Sequence, residues 1–486
     1  MKKYALFAAM AMTLCMMSSC TDNVDNPSTP ATPEEPVVQK TTIELDGVKY
    51  EVGTIATLKG QVGSEVSLTL GVYDQFDIYG VDFGDGVIQT DTVCFENGGL
   101  KGENGLSRED TNHKSATKFT GTVAGEGIIT VYGESDVWYL VTSGGAVPTS
   151  FDQEKLEKVV QVNITGADAE TIELPKLDSL KQFTFNNSSV KRVDVSKAVN
   201  LTSLSINNTS ASKFEPQLES IDVSKNTKLT YLSLQGNNKA AGKLKSIDLT
   251  NNTKLENLYV QYNQIAEIKL GESYEKLGTI NAQNNMLVSL DAAKLTAAKS
   301  LYLADNQLKS IDVAKLSKLA WFDVKNNQLE GDMDLTANTK LTNVYVNNNQ
   351  LISVKVTNVT KQFYFDTNKM TIATMPELPA GMNTTSKKKQ FHYAPQADME
   401  VTALDGVVDL SAQASAKGME EEAVATTFTV KAGGATLVAD TDYKNENGKI
   451  TFLKDQSDVV IEMTTAAYPT LTLKTKAFNV TVTPTR

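Results

Sequence analysis

The sequence predicts a mainly β fold: a solenoid with a parallel sheet, 21–22-residue repeats and few helices, flanked by two β-sandwich modules. One phrase recurs nine times between Leu180 and Met370. Within each copy apolar and polar residues alternate with a period of two, which is typical of a strand with one buried face. Amphipathic helical patterns are nearly absent, and glycine-punctuated β-rich runs lie before and after the repeats.

The repeated phrase is LxxLxLxxNxL, and a clear copy is LTNVYVNNNQL (Leu341 to Leu351). Its copies, spaced 19 to 28 residues apart, begin at Leu180, Leu201, Leu229, Leu255, Leu277, Ala298, Leu319, Leu341 and Thr360. One repeat cannot fold alone, because ordering about 21 residues costs ~30 kcal/mol while about five buried apolar side chains contribute ~2 kcal/mol each. Stacking is therefore obligatory, and we expect one strand per repeat in a parallel sheet over residues 151–380.

Two polar ladders accompany the repeats. The ninth position is usually an amide, at Asn237, Asn263, Asn285, Asn306, Asn327, Asn349 and Asn368. Because an amide both donates and accepts, this pattern predicts an internal ladder, weaker where Ser188 and Thr209 replace asparagine. A second, outer phrase that we expect to be extended carries Asp194, Asp222, Asp248, Asp291, Asp312 and Asp334. Lysines at similar offsets favour a solvated ion-pair face over a calcium site there.

The period and the phrase resemble those of the leucine-rich repeat family. The resemblance covers about 190 of the 486 residues and is specific, because one phrase recurs in register many times. It implies protein binding through the concave repeat sheet, as in internalin-like adhesins of bacterial surfaces.

Residues 1–20 resemble a lipoprotein signal peptide, with Lys2 and Lys3 ahead of a short apolar run. The segment MSSC at residues 17–20 resembles a bacterial lipobox, which implies lipidation of Cys20. Four prolines in residues 21–40 predict a stiff tether. The acidic run after Cys20 is similar to the surface-export signals of Bacteroidetes-type lipoproteins, although plain linker composition also explains it. We therefore expect a lipid-anchored outer-membrane protein at the cell surface.

The flanking modules are predicted from short β-rich runs. In residues 41–150 the segment DFGDG (Asp82 to Gly86) resembles the turn of PKD-type immunoglobulin-like modules; a capped turn explains its aspartates better than a cation. The segment Val137 to Val141 predicts a strand that covers the first edge of the solenoid. After Pro379 a short basic, polar linker follows, and residues 385–486 predict a second sandwich with a hairpin turn at Asn447-Gly448.

The solvent side of the repeat sheet carries the candidate site. Aromatic rings and amides dominate the third, fifth and seventh positions, and charges are scarce. The predicted ligand-binding residues are Tyr231, Tyr259, Gln261, Tyr302, Trp321, Asp323, Tyr345, Asn347 and Tyr364. Such rigid amphipathic rings suit partner side chains or sugar faces. We expect a protein ligand; glycan capture within a nutrient-uptake system is the alternative, and an inert spacer is the third reading.

Charge and composition disfavour other functions. The formal net charge is -12 and becomes -14 without Lys2 and Lys3, which argues against binding nucleic acid. The two histidines, His113 and His392, lie in different predicted domains, and Cys94 has no evident catalytic partner. We therefore expect no enzymatic activity, no cofactor and no metal. We also expect the protein to be a monomer.

Overall fold

The computed structural model describes residues 40–45, 47–72, 78–92, 115–133, 137–151, 156–208, 213–357, 359–377, 390–418 and 422–483. The predicted signal peptide, Cys20 and nearly all of the tether lie outside the described residues, as do Cys94 and His113. The chain divides into two compact units, Met1–Lys228 and Leu229–Arg486. In the described ranges no helix is long and apolar enough to span a bilayer.

The first unit is built from strands. They are β1 (Lys40–Leu45), β2 (Val48–Lys59), β3 (Glu65–Val72), β4 (Ile78–Asp82), β5 (Ile88–Thr92), β6 (Ser115–Thr122), β7 (Ile128–Gly133), β8 (Val137–Ser143), β9 (Val147–Phe151), β10 (Gln161–Thr165), β11 (Thr171–Glu173), β12 (Gln182–Asn186), β13 (Arg192–Asp194) and β14 (Ser203–Ser205). One antiparallel sheet has the order β1-β2-β7-β4-β5, with β9 also paired to β2. The DFGDG segment forms a capped turn, as predicted: Asp82 Oδ1 accepts from Gly84 N at 2.7 Å.

Strand β8 joins the N-terminal strands to the repeats of the first unit. It pairs antiparallel with β3 and parallel with β10, so that Leu140 lies opposite both Leu70 and Val162. These three side chains are buried, each 1% exposed. The predicted role of residues 137–141 is therefore confirmed: β8 covers the edge that β10 would otherwise leave unpaired. Strands β10, β12 and β14 continue as a parallel ladder.

The second unit contains the remaining elements. Its strands are β15 (Tyr231–Ser233), β16 (Ser246–Asp248), β17 (Asn257–Tyr259), β18 (Glu267–Lys269), β19 (Thr279–Asn281), β20 (Ser300–Tyr302), β21 (Trp321–Asp323), β22 (Glu330–Asp334), β23 (Asn343–Tyr345), β24 (Gln350–Lys355), β25 (Gln362–Tyr364), β26 (Phe391–His392), β27 (Val407–Asp409), β28 (Ser415–Ala416), β29 (Val424–Ala432), β30 (Ala435–Thr436), β31 (Tyr443–Glu446), β32 (Lys449–Phe452), β33 (Gln456–Thr465), β34 (Thr472–Lys474) and β35 (Phe478–Val480). Two short 3₁₀ helices, Ala292–Lys294 and Ser411–Gln413, accompany them.

The repeats of the second unit stack in perfect register. Equivalent positions of successive phrases are direct neighbours in a parallel sheet, from Leu258 opposite Ile280 to Val344 opposite Phe363. The fourth-position side chains point inward and are at most 1% exposed. On the opposite side, the second phrase forms short parallel pairs, β16 with β18 and β22 with β24. The protein is thus mainly β with a parallel β-solenoid, as the sequence predicts.

The asparagine ladder is confirmed for most of the second unit. Asn306 illustrates it: Nδ2 donates to Ala282 O of the preceding coil at 2.9 Å, and Oδ1 accepts from Leu287 N at 2.9 Å. The same two-way bonding between coils recurs at Asn285, Asn327, Asn349 and Asn368. Each coil is therefore joined to the coil before it by these side-chain hydrogen bonds. They provide partners for the backbone N–H and C=O groups of the turns, which cannot pair within a sheet.

The ladder departs from the prediction at two places. The prediction is wrong for Asn237, because its Oδ1 accepts from Lys239 N and Ala240 N of its own inserted loop. In the first unit the Ser188 hydroxyl accepts a hydrogen bond from Ala167 N, and the backbone amide of Ser188 donates to Asn208 Oδ1 at 3.0 Å. Thr209, the predicted ninth position, lies outside the described residues. At Asn237, therefore, the inserted loop itself supplies the backbone donors that bond the amide oxygen.

The solenoid continues past Pro379, where the sequence analysis ends it. Strand β26 pairs parallel with β25, and Phe391 lies opposite Phe363. Gln396 performs the ladder role there, since its Nε2 donates to Phe365 O at 3.0 Å and its Oε1 accepts from Asn368 N at 3.2 Å. A further coil, with glutamine in place of asparagine, therefore follows the nine predicted ones.

The C-terminal strands form two sheets, and residues next to these strands contact the last two coils. One has the order β27-β32-β31 and the other β28-β29-β33-β34, with β30 and β35 added to it. The predicted hairpin turn joins β31 to β32, with φ of 50° at Asn447 and 86° at Gly448. Tyr468 is 1% exposed, and its hydroxyl donates to Pro376 O at 2.7 Å. Its ring also meets Tyr393 of the last coil edge-on, with 5.3 Å between centroids.

Candidate ligand-binding surface

Two columns of side chains face outward from the solenoid sheet of the second unit. The third-position column is Tyr231, Asn257, Thr279, Ser300, Trp321, Asn343 and Gln362, and the fifth-position column is Ser233, Tyr259, Asn281, Tyr302, Asp323, Tyr345 and Tyr364. Adjacent members are about 4.8 Å apart, because that is the spacing of paired strands. The sheet thus brings seven of the nine predicted site residues onto one face of the second unit, and the other two, Gln261 and Asn347, lie at the seventh position just beyond the paired strands.

Aromatic rings on this face pack against one another. Tyr231 and Tyr259 form a separate pair with 5.6 Å between ring centroids. A longer run, which we call the aromatic row, consists of Tyr302, Trp321, Tyr345, Tyr364 and His392. Its successive centroid distances are 5.6, 5.6, 5.1 and 4.0 Å. Each tyrosine and the tryptophan are half-buried, since the neighbouring rings cover part of each surface. The rings are consequently held in fixed orientations before any ligand arrives.

The sequence analysis misses His392 as a member of this surface. His392 lies in register with Tyr364 on β26, and its imidazole is exposed at the end of the aromatic row. A signal was present: Phe391, Tyr393 and Gln396 occupy the fourth, sixth and ninth positions of one more phrase, with aromatic residues in place of leucine. The linker-like composition before this phrase concealed it.

Polar side chains of this face form hydrogen bonds between neighbouring coils, and one of these bonds involves a ring of the aromatic row. The Tyr345 hydroxyl donates to Gln362 Oε1, and Asn343 Nδ2 donates to the same oxygen at 3.2 Å. At the other end of the face, Gln261 Nε2 donates to Gln235 Oε1. Gln261 is only 8% exposed, so the expectation that it faces solvent freely is wrong; neighbouring side chains cover it. Asn347, half-buried at the seventh position, keeps its side-chain oxygen buried without a hydrogen-bond partner among the described residues.

Asp323 is the second predicted site residue that is buried. It is 6% exposed, and burial raises the pKa of its carboxyl group. Its Cα neighbours in the sheet are Tyr302 and Tyr345, yet both of those rings pack on the indole of Trp321. Trp321 and Asp323 are two residues apart on β21 and so lie on the same face of the sheet, which places the packed rings beside the buried carboxylate. Lys325 supplies the nearest cation, with 3.7 Å between Nζ and Asp323 Oδ2.

The outer aspartates mainly cap turns. Asp194, Asp222, Asp312 and Asp334 each accept from the backbone amide two residues later, at 2.8–2.9 Å. Asp248 does the same and also pairs with Lys269, whose ammonium lies 2.8 Å from Asp248 Oδ2. These contacts agree with a solvated face whose carboxylates are locally satisfied. Across the described ranges no group of three or more potential metal ligands is found.

The stacked coils, their internal asparagine ladder and the open sheet face define the class of fold: a parallel β-solenoid of leucine-rich repeats. No known family model matches the chain, and no curated protein matches it. Solved structures do resemble it. The functional domain of InlJ from Listeria monocytogenes has 16% identity and a TM-score of 0.41, covering 67% of this chain and 78% of that one.

Two other solved structures are similar over about half of this chain. An internalin, InlF, from Listeria monocytogenes has 18% identity and a TM-score of 0.32, covering 50% of this chain and 76% of its own. The leucine-rich repeat domain of APL1B has 16% identity and a TM-score of 0.33, with coverage of 53% and 88%.

Proposed function

We propose that this chain is a non-catalytic binding protein that captures a protein ligand on the sheet face of the second unit. The observation that supports it is the aromatic row, whose five rings cross consecutive coils with centroid distances of 4.0–5.6 Å. Tyrosine and tryptophan contribute large contact areas with few rotatable bonds. Because their neighbours already hold them, ordering these side chains on binding costs little entropy.

The polar pattern between the rings also supports a binding face. Amides such as Asn257, Asn281 and Gln283 are half-buried and carry no net charge. A partner can therefore approach without desolvating many ions, and it finds donors and acceptors beside each ring. The outer side differs, because exposed lysines and aspartates predominate there.

The test is capture of a partner by the full-length chain carrying Trp321→Ala and Tyr345→Ala. Truncating two central rings should weaken capture at least about tenfold, as loss of interface anchors does. The matched control is Val288→Ala with Ile352→Ala, which trims exposed apolar side chains of the outer side and should leave capture unchanged. Urea unfolding of both variants checks that the solenoid persists. Equal capture by the aromatic double variant and the wild type would refute the proposal.

A glycan ligand is the competing outcome of the same experiment. A glycan array probed with wild type and with the aromatic double variant distinguishes the two classes. Saturable glycan binding that the double variant loses, with no protein captured, favours a component of a nutrient-uptake system. Protein capture without glycan binding favours adhesion or another partner interaction.

We further propose that the protein is anchored to the outer membrane through a lipid on Cys20 and faces the cell exterior. The segment MSSC and the proline-rich tether after it support this location. Substitution Cys20→Ser should release the protein from membranes, and protease treatment of intact cells should remove the wild type. Retention of the Cys20→Ser variant in the membrane fraction would contradict the anchor.

A further inference from the structure

The centre of the aromatic row differs from its ends because a carboxylate is buried between rings. Asp323 stands between Tyr302 and Tyr345 in the fifth-position column, and Trp321, two residues earlier on the same face of β21, packs its indole against both of those rings. Asp323 is 6% exposed. Three aromatic residues thus neighbour one buried acidic residue on a face that otherwise carries few charges.

This arrangement already attracts a cation. Lys325 Nζ lies 3.7 Å from Asp323 Oδ2 and 5.8 Å from the ring centroid of Tyr345. The ion-pair distance is long, since a charge-assisted hydrogen bond measures about 2.8 Å, and the distance to the ring is near the limit of about 6 Å for a cation–π contact. The Lys325 side chain also remains 39% exposed. The chain's own ammonium is thus loosely held beside the carboxylate and the ring, and another cation can displace it.

The electrostatics of the centre favour such a replacement. Burial raises the pKa of Asp323, and the charge of Lys325 only partly opposes that effect. The carboxylate of Asp305 lies close enough to raise the pKa further. A cation held directly against Asp323 would relieve this unfavourable burial, and a ring face strengthens the attraction when water is excluded. The net charge of -12 draws cations toward the protein as a whole.

We propose that the centre of the aromatic row is a subsite for an arginine side chain of the protein ligand, which displaces Lys325. Asp323 is the counter-ion, and Trp321 and Tyr345 supply the ring surfaces on which the planar guanidinium stacks. Arginine fits better than lysine because its flat, weakly hydrated cation both stacks on rings and bonds a carboxylate. The inference rests on the proposed function only in taking this sheet face as the binding surface.

The test measures binding of a small probe to the full-length chain. The probe is the peptide acetyl-Gly-Arg-Gly-amide, and its matched control is the same peptide with citrulline, which keeps the shape of arginine but has no charge. Trp138→Phe leaves Trp321 as the sole tryptophan, so its fluorescence reports on the subsite. The arginine peptide should change that fluorescence saturably and bind about tenfold more tightly than the citrulline peptide.

Two further variants give opposite expected results. Lys325→Ala should bind the arginine peptide several-fold more tightly, because the resident ammonium is gone. Asp323→Asn should bind the two peptides equally. Equal binding of both peptides by the wild type, or weaker arginine binding by Lys325→Ala, overturns the subsite. If Asp323→Asn does not fold, the Lys325→Ala result decides alone. Partner capture that depends on Trp321 and Tyr345 but shows no arginine preference refutes the subsite and leaves the proposed function standing.

Discussion

Replacing Asn306 by alanine should lower the free energy of unfolding by about 2 kcal/mol, and the structure gives the reason. Asn306 Nδ2 donates to three carbonyl oxygens, and each of them would still accept a hydrogen bond from another donor after the substitution. Ala282 O accepts from Asn285 Nδ2, Leu303 O from Asn327 Nδ2, and Ala304 O from Asn284 N. Leu287 N, by contrast, donates to Asn306 Oδ1 at 2.9 Å. A buried amide left without an acceptor costs about 1–3 kcal/mol, and this loss dominates the expected effect.

Urea unfolding followed by circular dichroism measures the change, with Gln307→Ala as the matched control. Gln307 is the exposed neighbour of Asn306, so its substitution should change stability by less than about 0.5 kcal/mol. Because a repeat array can open locally, hydrogen exchange at the Leu287 amide gives an independent reading, and protection there should fall in Asn306→Ala. Equal stability of the two variants, with unchanged exchange at Leu287, would refute the view that the ladder fastens the coils.

Three other predictions concern single positions. Thr367 has φ of 53°, which a β-branched residue adopts at a cost, so Thr367→Asn should stabilise the protein by about 1 kcal/mol in thermal unfolding; a lower melting temperature would contradict this. Because burial raises the pKa of Asp323, the folded state holds that proton more firmly than the unfolded state. The stability of wild type relative to Asp323→Asn should therefore fall as pH rises from 3.8 through the raised pKa, and a difference in urea midpoints that is independent of pH would count against it. Lys269 lowers the pKa of Asp248 to about 2, so the exposed pair should stabilise the folded state slightly above pH 3.8 and lose this contribution as pH falls toward 2. Urea unfolding of Asp248→Asn at pH 7 and pH 2 checks this, and a loss that persists at pH 2 would be the wrong result.

The repeat fold was predictable because its signal is local and repeated. An apolar residue every second position, in phrases of nearly constant length, determines both the strand and its register, and the structure aligns Leu258, Ile280 and Leu301 accordingly. The two-way bonding of the ninth-position amides follows from the same repetition. A rule that acts identically in every coil can be inferred from one coil.

Other features depend on neighbours that the sequence does not reveal. Asn338 is 1% exposed and donates to Val313 O at 2.8 Å, and the fully buried Asn226 donates to Val195 O at 3.0 Å, so a second internal set of amides exists in the outer turns. In the sequence these amides are marked by the recurrent segment NTKL. Its polar composition, taken alone, indicates an exposed turn. Asp323 occupies a solvent-facing position by periodicity, yet only 6% of it is exposed in the structure. Such coverage is set by side-chain packing between coils.

The packing of Tyr468 on the last coil has a practical consequence for how this protein can be divided. Besides the bond from Tyr468 to Pro376 O, Gln413 Oε1 accepts from Ala373 N at 2.9 Å, and the backbone of Met399 donates to Lys474 O. The C-terminal segment therefore covers the end of the solenoid. A chain shortened to end at Pro379 would lay bare Phe363 and Phe365, each 0% exposed in the intact protein, and should aggregate. Recombinant versions of the binding face should accordingly retain the C-terminal sheets.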